Sequence, residues 1–579
     1  MNRLQRIKKM VGHRKELTYL VSYSDVFKSE EIPNLESLLG SARREDVLLA
    51  GAFFLGFRTS NSEFHVYQFL LSKIFNAENN GFANQLFKRL QEIEQEKGKI
   101  ALIYPLSCLQ LFEFAYQKLN SEGTLTESEF ERNLFKALLL LNQENVTKED
   151  VTSMQSVEGL NPVMRYAAFN LTTKFPQFEF LNYRTADVLT AQLIKAIYLF
   201  KYLEDGKTLP LLSAFLNHFD CTNWRDYLKS HLPFTHSILK RTREAHLDIL
   251  VTPNEQYQRS CEFFEKHALE ENEELEEFDF KTARSKPFYK IGEGKYRVIY
   301  DLFVLEKVFT GLYFSLSKIN DILDDQHRIK SFKSVYTTEF SEEFLLYTIL
   351  EHSFPKKWVH LSGKTLREFG LTAEPDYYLR FKNKLFLFEN KDILIRADIK
   401  QSYDFRLLEP ELKKRLSHEI ANGKTKNGAV RQIAQNIRKI LKGEFGADQG
   451  LRQSAVSVYP ILVLHYNQFN APGLNKIVNA WFQEELGLMR DEGLDVSRVS
   501  PLTIVFIDTL ILYQDYLVSR RLILENLIKD YWKENEVSTY IKPFSAHMLS
   551  GANRKGFKKL PKVFMELGLN LFEETGEVD

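Results

Sequence analysis

Apolar positions divide this chain into a helical first half and a second half in which short strands alternate with helices. From about residue 15 to residue 265, stretches such as SEFHVYQFLLSKIF and ADVLTAQLIKAIYLFKYL space their apolar residues at three and four, which predicts amphipathic helices. Pro and Gly are sparse inside them, and no repeat of fixed period appears. The pattern changes at KPFYKIGEGKYRVIYDLF, where alternation around a Gly-containing turn predicts a strand hairpin. Helical text follows in SEEFLLYTILEHSF, and then EPDYYLRFKNKLFLFENKD carries the strongest hairpin signal in the chain. A basic, mostly helical stretch runs from there to about Gly443. VSVYPILVLHY and PLTIVFIDTLILY are short, β-branched apolar runs that read as buried strands, and helix returns from about Ser519.

These elements predict an α+β multidomain protein. A mainly helical domain spans 1–267, a domain with a central mixed sheet spans 285–518, and a helical extension spans 519–579. The dense acidic run ALEENEELEEFDF lies between the first two, so 268–284 reads as an acidic linker, with a solvated helix end as the alternative. A chain of 579 residues exceeds one ordinary core, in keeping with two or three domains.

Composition narrows the partners only slightly. The 77 basic and 77 acidic residues cancel, so global charge neither favours nor disfavours a nucleic-acid partner. Cys108, Cys221 and Cys261 are far apart and without CxxC spacing, which argues against a disulfide framework or a cysteine zinc site and suits a reducing cytoplasm. The basic segment MNRLQRIKKMVGHRKEL has no apolar signal core, and the longest apolar run, Val47 to Phe57, is too short for a membrane span. Gly206-Lys207-Thr208 imitates the end of a P-loop, but Lys201 stands where its first glycine is required. Gly292 and Gly294 form a GxG whose third glycine is replaced by Arg297. The histidines show no HExxH spacing, and His465, at the end of an apolar strand, reads as a core-edge residue.

The chemistry concentrates on the second hairpin. A two-residue turn containing Asn383, which tolerates positive φ, makes the numbers of paired residues sum to 765 or to 767. The first register sets Asp376 opposite Glu389, and the second sets it opposite Lys391. Either gathers Asp376, Glu389 and Lys391 on one face and leaves Leu379, Phe381, Phe386 and Phe388 as a core face on the other. Two carboxylates and one lysine on a shared face suit phosphodiester hydrolysis. Hard oxygen ligands hold Mg²⁺, and a lysine beside the metal orients water or stabilises developing charge.

Pro375-Asp376 followed by Glu389-Asn390-Lys391 at the end of the next strand resembles the PD-(D/E)xK, or restriction endonuclease-like, nuclease superfamily. The resemblance covers about residues 285–515. It implies an αβββαβ core around a mixed sheet, with Asp376, Glu389 and the main-chain carbonyl of Asn390 as ligands of Mg²⁺ or Mn²⁺ and Lys391 as the catalytic lysine. Many members add a glutamate from the preceding helix. Glu342 and Glu343 are the candidates, and Glu343 is preferred because Tyr347, Leu350 and Phe354 follow it along one side of an α-helix.

Residues 421–443 contain Lys424, Lys426, Arg431, Arg438, Lys439 and Lys442 and no acid. Val430, Ile433, Ile437 and Ile440 define the inward face of this helix. Arg431, Arg438 and Lys439 become candidate phosphate contacts, and Gln432 resembles a glutamine that some relatives place near the site. The expected function is metal-dependent hydrolysis of DNA, with RNA open, by analogy in defence against foreign DNA. A protein partner or a second copy is expected through the helical domain, and no membrane. The alternative is a helical interaction scaffold that binds nucleic acid without cutting it.

Overall fold

The computed structural model describes residues 19–572 apart from 29, 58–65, 242–245, 271–272, 276–279, 422–423, 537–540 and 555–559. The basic amino-terminal segment therefore lies outside the described residues, as does part of the acidic run. No helix among the described residues is long and apolar enough to cross a membrane.

The protein is of the α+β class and forms two compact units, but these do not follow the expected domain boundaries. The first joins 1–151 to 240–303, and the second joins 152–239 to 304–579. Each unit is thus discontinuous in sequence. The acidic run is no linker between them. Lys286 pairs with Glu270 at 2.7 Å and Glu273 at 2.8 Å, Gln117 donates to the Leu275 carbonyl at 2.8 Å, and Leu275 is buried, all within the first unit. Negative charge marks a solvated face there, while the apolar residue threaded through it anchors the segment. The hairpin Phe288–Gly292 and Lys295–Val298 forms as expected. It belongs to a four-stranded sheet of the first unit with Asp248–Leu250 and Ala268–Leu269, not to the sheet that carries the site.

The second unit is built on a five-stranded mixed sheet. Its strands are β1 (Val359–Ser362), β2 (Tyr377–Phe381), β3 (Lys384–Lys391), β4 (Ser457–Leu464) and β5 (Thr503–Phe506), in the spatial order β5-β4-β3-β2-β1. β1, β2 and β3 form an antiparallel meander, and β4 and β5 run parallel to β3. A helical segment over 332–353 (α1) precedes β1, the short helix α2 (Gly363–Glu368) joins β1 to β2, and helix α3 (Ala429–Lys442) precedes β4. Helix α4 (Leu474–Asp491) then connects β4 to β5 in the crossover that a parallel pair requires.

β3 is buried along almost its whole length, which is why KLFLFENK reads as a nearly continuous apolar run. Leu385 and Leu387 pack with Val430, Ile433 and Ile437 of α3, so the inward face expected for that helix is the observed one. Phe386 and Phe388 alternate to the other face, where they meet Phe354. Two elements depart from expectation. His418–Ala421 and Lys424–Asn427 form a hairpin inside the basic stretch. In PLTIVFIDTLILY only Thr503–Phe506 is strand, and Ile507–Val518 is helix. A helix buried on several sides carries no amphipathic period, so its apolar run imitates a strand.

The same core includes Val157, Ala167, Ala168, Leu171 and Phe175, all fully buried. Helix Pro162–Lys174 thus supports the sheet of the second unit instead of belonging to a separate reader domain. A chain begun at Val304 retains every candidate catalytic residue but loses this cover. We expect it to be insoluble or molten, because uncovering several large core side chains removes about 2–5 kcal/mol each. Far-UV and near-UV circular dichroism with a cooperative urea transition for that fragment would contradict the shared core.

Candidate active site

The hairpin adopts the register in which paired numbers sum to 765, from Phe381 opposite Lys384 to Tyr377 opposite Phe388. One step further, Asp376 comes opposite Glu389. The turn is Lys382-Asn383, and it is Lys382, not Asn383, that takes positive φ, at 56°. Asn383 is held by the neighbouring strand entry instead. Its carbonyl accepts from Ser457 N at 2.8 Å and its amide donates to the Ala455 carbonyl at 3.2 Å.

Asp376, Glu389 and Lys391 meet at the far end of this hairpin. The Asn390 backbone N–H donates to Asp376 Oδ2 at 2.6 Å, fixing that carboxylate against the end of β3. Lys391 Nζ lies 2.8 Å from Glu389 Oε1. Glu389 is fully buried, and its Oε2 has no hydrogen-bond partner. Gly363, at the start of α2, donates its N–H to the Asp376 carbonyl at 2.8 Å. A Cβ there would stand 3.2 Å from that oxygen and 3.1 Å from Tyr347 Oη, so the close approach of α2 to the site favours glycine.

The upstream glutamate that turns toward this cluster is Glu342, where Glu343 was preferred. Residues Tyr336–Leu346 of α1 are π-helical. Hydrogen bonds from i to i+5 put Glu342, not Glu343, one turn before Tyr347. Tyr347 Oη donates to Glu342 Oε1 at 3.3 Å, whereas Glu343 pairs with Arg367 at 2.6 Å. Arg367, on α2, also bonds Glu374 at 2.8 Å and stands as a partly exposed cation at the rim. Arg367 was missed because nothing in its local sequence separates it from an ordinary helix arginine.

Three carboxyl groups around one ammonium cannot all ionise cheaply. Burial, reinforced by the Asp376 charge and only partly offset by Lys391, pushes both Glu342 and Glu389 up to about 8. Burial also raises Asp376, against the opposing pull of Lys391 and the Asn390 N–H. Burial disfavours the Lys391 ammonium, but Glu389 and Asp376 outweigh it and hold the group above its usual range, so it stays protonated. The cluster titrates as a unit and has unmet affinity for positive charge.

Among the described residues, no three His, Cys, Asp or Glu side chains are arranged as a ready metal cage. A divalent ion of the Mg²⁺ class does not need one, since it takes one or two carboxylates and fills its other positions with water and phosphate oxygens. The unpartnered Glu389 Oε2 and the hard-oxygen donor set fit such an ion.

The basic helix looks different from its sequence. Arg431 pairs with Glu485 at 2.9 Å, Arg438 with Glu492 at 3.0 Å and Lys442 with Glu492 at 3.1 Å. Lys439 Nζ bonds the Thr372 carbonyl, and the Gln432 carbonyl accepts from Asn436 within α3. Acidic residues of α4 and the residue just after it neutralise much of the edge that was expected to meet phosphate. They lie 50 or more positions from their partners in sequence, and the count of charges in 421–443 could not register them. Searches for a matching family, a similar curated protein or a similar solved structure find none.

Raised carboxyl pKa values fix the sign of a pH effect. Between the ordinary 4.5 and about 8, folded Glu342 and Glu389 hold more protons than the unfolded chain. Metal-free stability therefore falls as pH rises across that window. A bound Mg²⁺ would relieve the repulsion only where the carboxylates ionise. At saturating Mg²⁺ we expect melting to rise by about 2–5 °C at pH 8 and by much less at pH 5.5. Equal shifts at both pH values would contradict the crowded cluster.

Proposed function

We propose that this protein is a metal-dependent phosphodiesterase that hydrolyses DNA. One observation carries this: Asp376, Glu389 and Lys391 come together at the end of a buried hairpin, with a carboxylate oxygen left unpartnered among raised carboxyl groups. The α-β-β-β-α-β order of α1, β1, β2, β3, α3 and β4 supports it, being the order that the PD-(D/E)xK resemblance implies. RNA fits the same phosphate chemistry.

Asp376, Glu389 and the Asn390 carbonyl would hold Mg²⁺ or Mn²⁺, with Glu342 beside them. The ion supplies Lewis-acid polarisation of a phosphoryl oxygen and a more acidic water. The chain's own groups do the remaining work. The Asn390 N–H holds Asp376 in one orientation. Lys391 keeps its proton and places a fixed positive charge where a phosphorane-like transition state gathers negative charge. Tyr347 Oη orients Glu342, whose raised pKa suits it to take a proton from water or return one to the leaving oxygen near neutral pH. Arg367 lies at the rim, where it holds Glu343 and Glu374. A role in restricting foreign DNA is the biological reading by analogy alone.

The paired arginines of α3 favour a separate reading for that helix, as a structural seam against α4 instead of a nucleic-acid edge.

Plasmid and single-stranded DNA incubated with Mg²⁺ or Mn²⁺ should be cut, and EDTA should stop it. Asp376→Ala and Glu389→Ala should abolish cleavage, and Lys391→Ala should lower kcat by about 10²–10³-fold, each with melting within a few degrees of the parent chain. Undiminished cutting by all three purified variants would remove the assignment. Neutralising Arg431 and Arg438 together should change the slope of log K against log salt by less than about 0.9, the value for one released phosphate contact.

A further inference from the structure

We infer that Ser341 and Asp392 form a positioning tie that sets the distance between Glu342 and Lys391, resting on the metal-dependent reading of the site. Ser341 Oγ donates to Asp392 Oδ2 at 2.6 Å. Each partner is the chain neighbour of a site residue, Ser341 of Glu342 and Asp392 of Lys391. The bond therefore links α1 to the residue that follows β3, one position from the site's upstream carboxylate and one from its ammonium.

Ser341 is buried, with no accessible surface. The Asp392 side chain is about nine-tenths buried, at 9% exposure. A hydroxyl donating to a carboxylate in such surroundings is a strong, charge-assisted bond, and breaking either half leaves a buried polar group unmet. The π-helical stretch explains how neighbouring residues can serve both ends. An α-helix turns successive side chains by about 100°, and the wider i to i+5 turn reduces that angle. Ser341 can then face Asp392 while Glu342 faces the carboxylate cluster.

A second bond braces the same strand end, from a histidine whose Nδ1 also lies 4.0 Å from Asp392 Oδ2. His465, directly after β4, places Nε2 2.8 Å from Asn390 Oδ1. Asn390 lies between Glu389 and Lys391, and its own N–H holds Asp376. Residues 390 and 392 are thus both fixed by buried partners behind the site, while 389 and 391 present their side chains to it. None of these partners touches the reacting atoms. They act through the residues that do.

The test uses the full chain and two readouts. Mn²⁺ affinity is followed by the electron paramagnetic resonance of free Mn²⁺, with Glu389→Ala as the control that should lose the site. Cleavage is followed at saturating Mn²⁺ to separate kcat from KM. Ser341→Ala and Asp392→Leu should each weaken Mn²⁺ binding or lower kcat by about 10- to 100-fold with KM for DNA unchanged, and the double variant should lose no more than either single one. Asp392→Asn keeps an oxygen acceptor for Ser341 and should stay within about threefold of the parent, which separates lost positioning from general damage to the core. Ser341→Ala matching the parent in both readouts, or a double variant whose losses multiply, would overturn the tie. If the parent chain binds Mn²⁺ but cuts no nucleic acid, the hydrolytic reading falls and the tie is decided by Mn²⁺ affinity alone. If the parent binds no Mn²⁺, both fall.

Discussion

The second unit depends on the register of one strand. Side chains along β3 alternate between faces, so a slip of one residue would carry Glu389 and Lys391 to the opposite face and bring Phe388 and Asn390 round in their place. Nothing about β3 by itself prevents this, because its apolar residues are similar on both faces. Register is fixed from outside, at the turn by bonds from Asn383 to the entry of β4, and at the far end by the Asn390 N–H on Asp376. Between them the parallel pairing with β4, from Ser457 opposite Lys384 to Leu464 opposite Lys391, holds all eight residues in step.

Fixing that register places ionisable groups where burial penalises them. The sheet, α3 and α1 together remove Glu389 from water, and Lys391 gives it a partner on one oxygen only. Elsewhere in the second unit buried charges are better matched. Arg380 and Tyr378 both meet Asp448, and Lys195 meets Asp508 at 2.7 Å. Burying these carboxyl groups at the end of β3 costs stability that a structure selected for stability alone would have recovered. Carboxyl groups buried and held close by the fold raise one another's affinity for protons.

Much of this was legible in the sequence because it depends on local pattern. Alternation gave the hairpin, turn length limited its register to two choices, and either choice gathered Asp376, Glu389 and Lys391. The inward face of α3 followed from its 3.6-residue period. What could not be read depends on tertiary partners or on unusual backbone. Choosing Glu342 over Glu343 needed the π-helical turn, which no spacing of apolar residues announces. The pairing of Arg431 and Arg438 needed Glu485 and Glu492 from across a crossover. The acidic run looked like a boundary because its charges dominate its composition, while its buried apolar residues, Ala268, Leu269, Leu275 and Phe280, decide where it belongs.

The interleaving of the two units has a consequence for synthesis. Helices within 152–239 emerge from the ribosome long before β4 and β5, the strands whose core they share. At about 5–20 residues per second, they wait on the order of tens of seconds with Leu171 and Phe175 uncovered. During that interval residues 240–303 also appear, and they must close the first unit back onto 1–151 without trapping the waiting helices. The order of folding is therefore set by the chain's path: the first unit can finish early, and the second can finish only when nearly all of the protein has been made. A nascent chain of this kind exposes apolar helices through much of its synthesis, and Asp376, Glu389 and Lys391 come together only after those helices have been made.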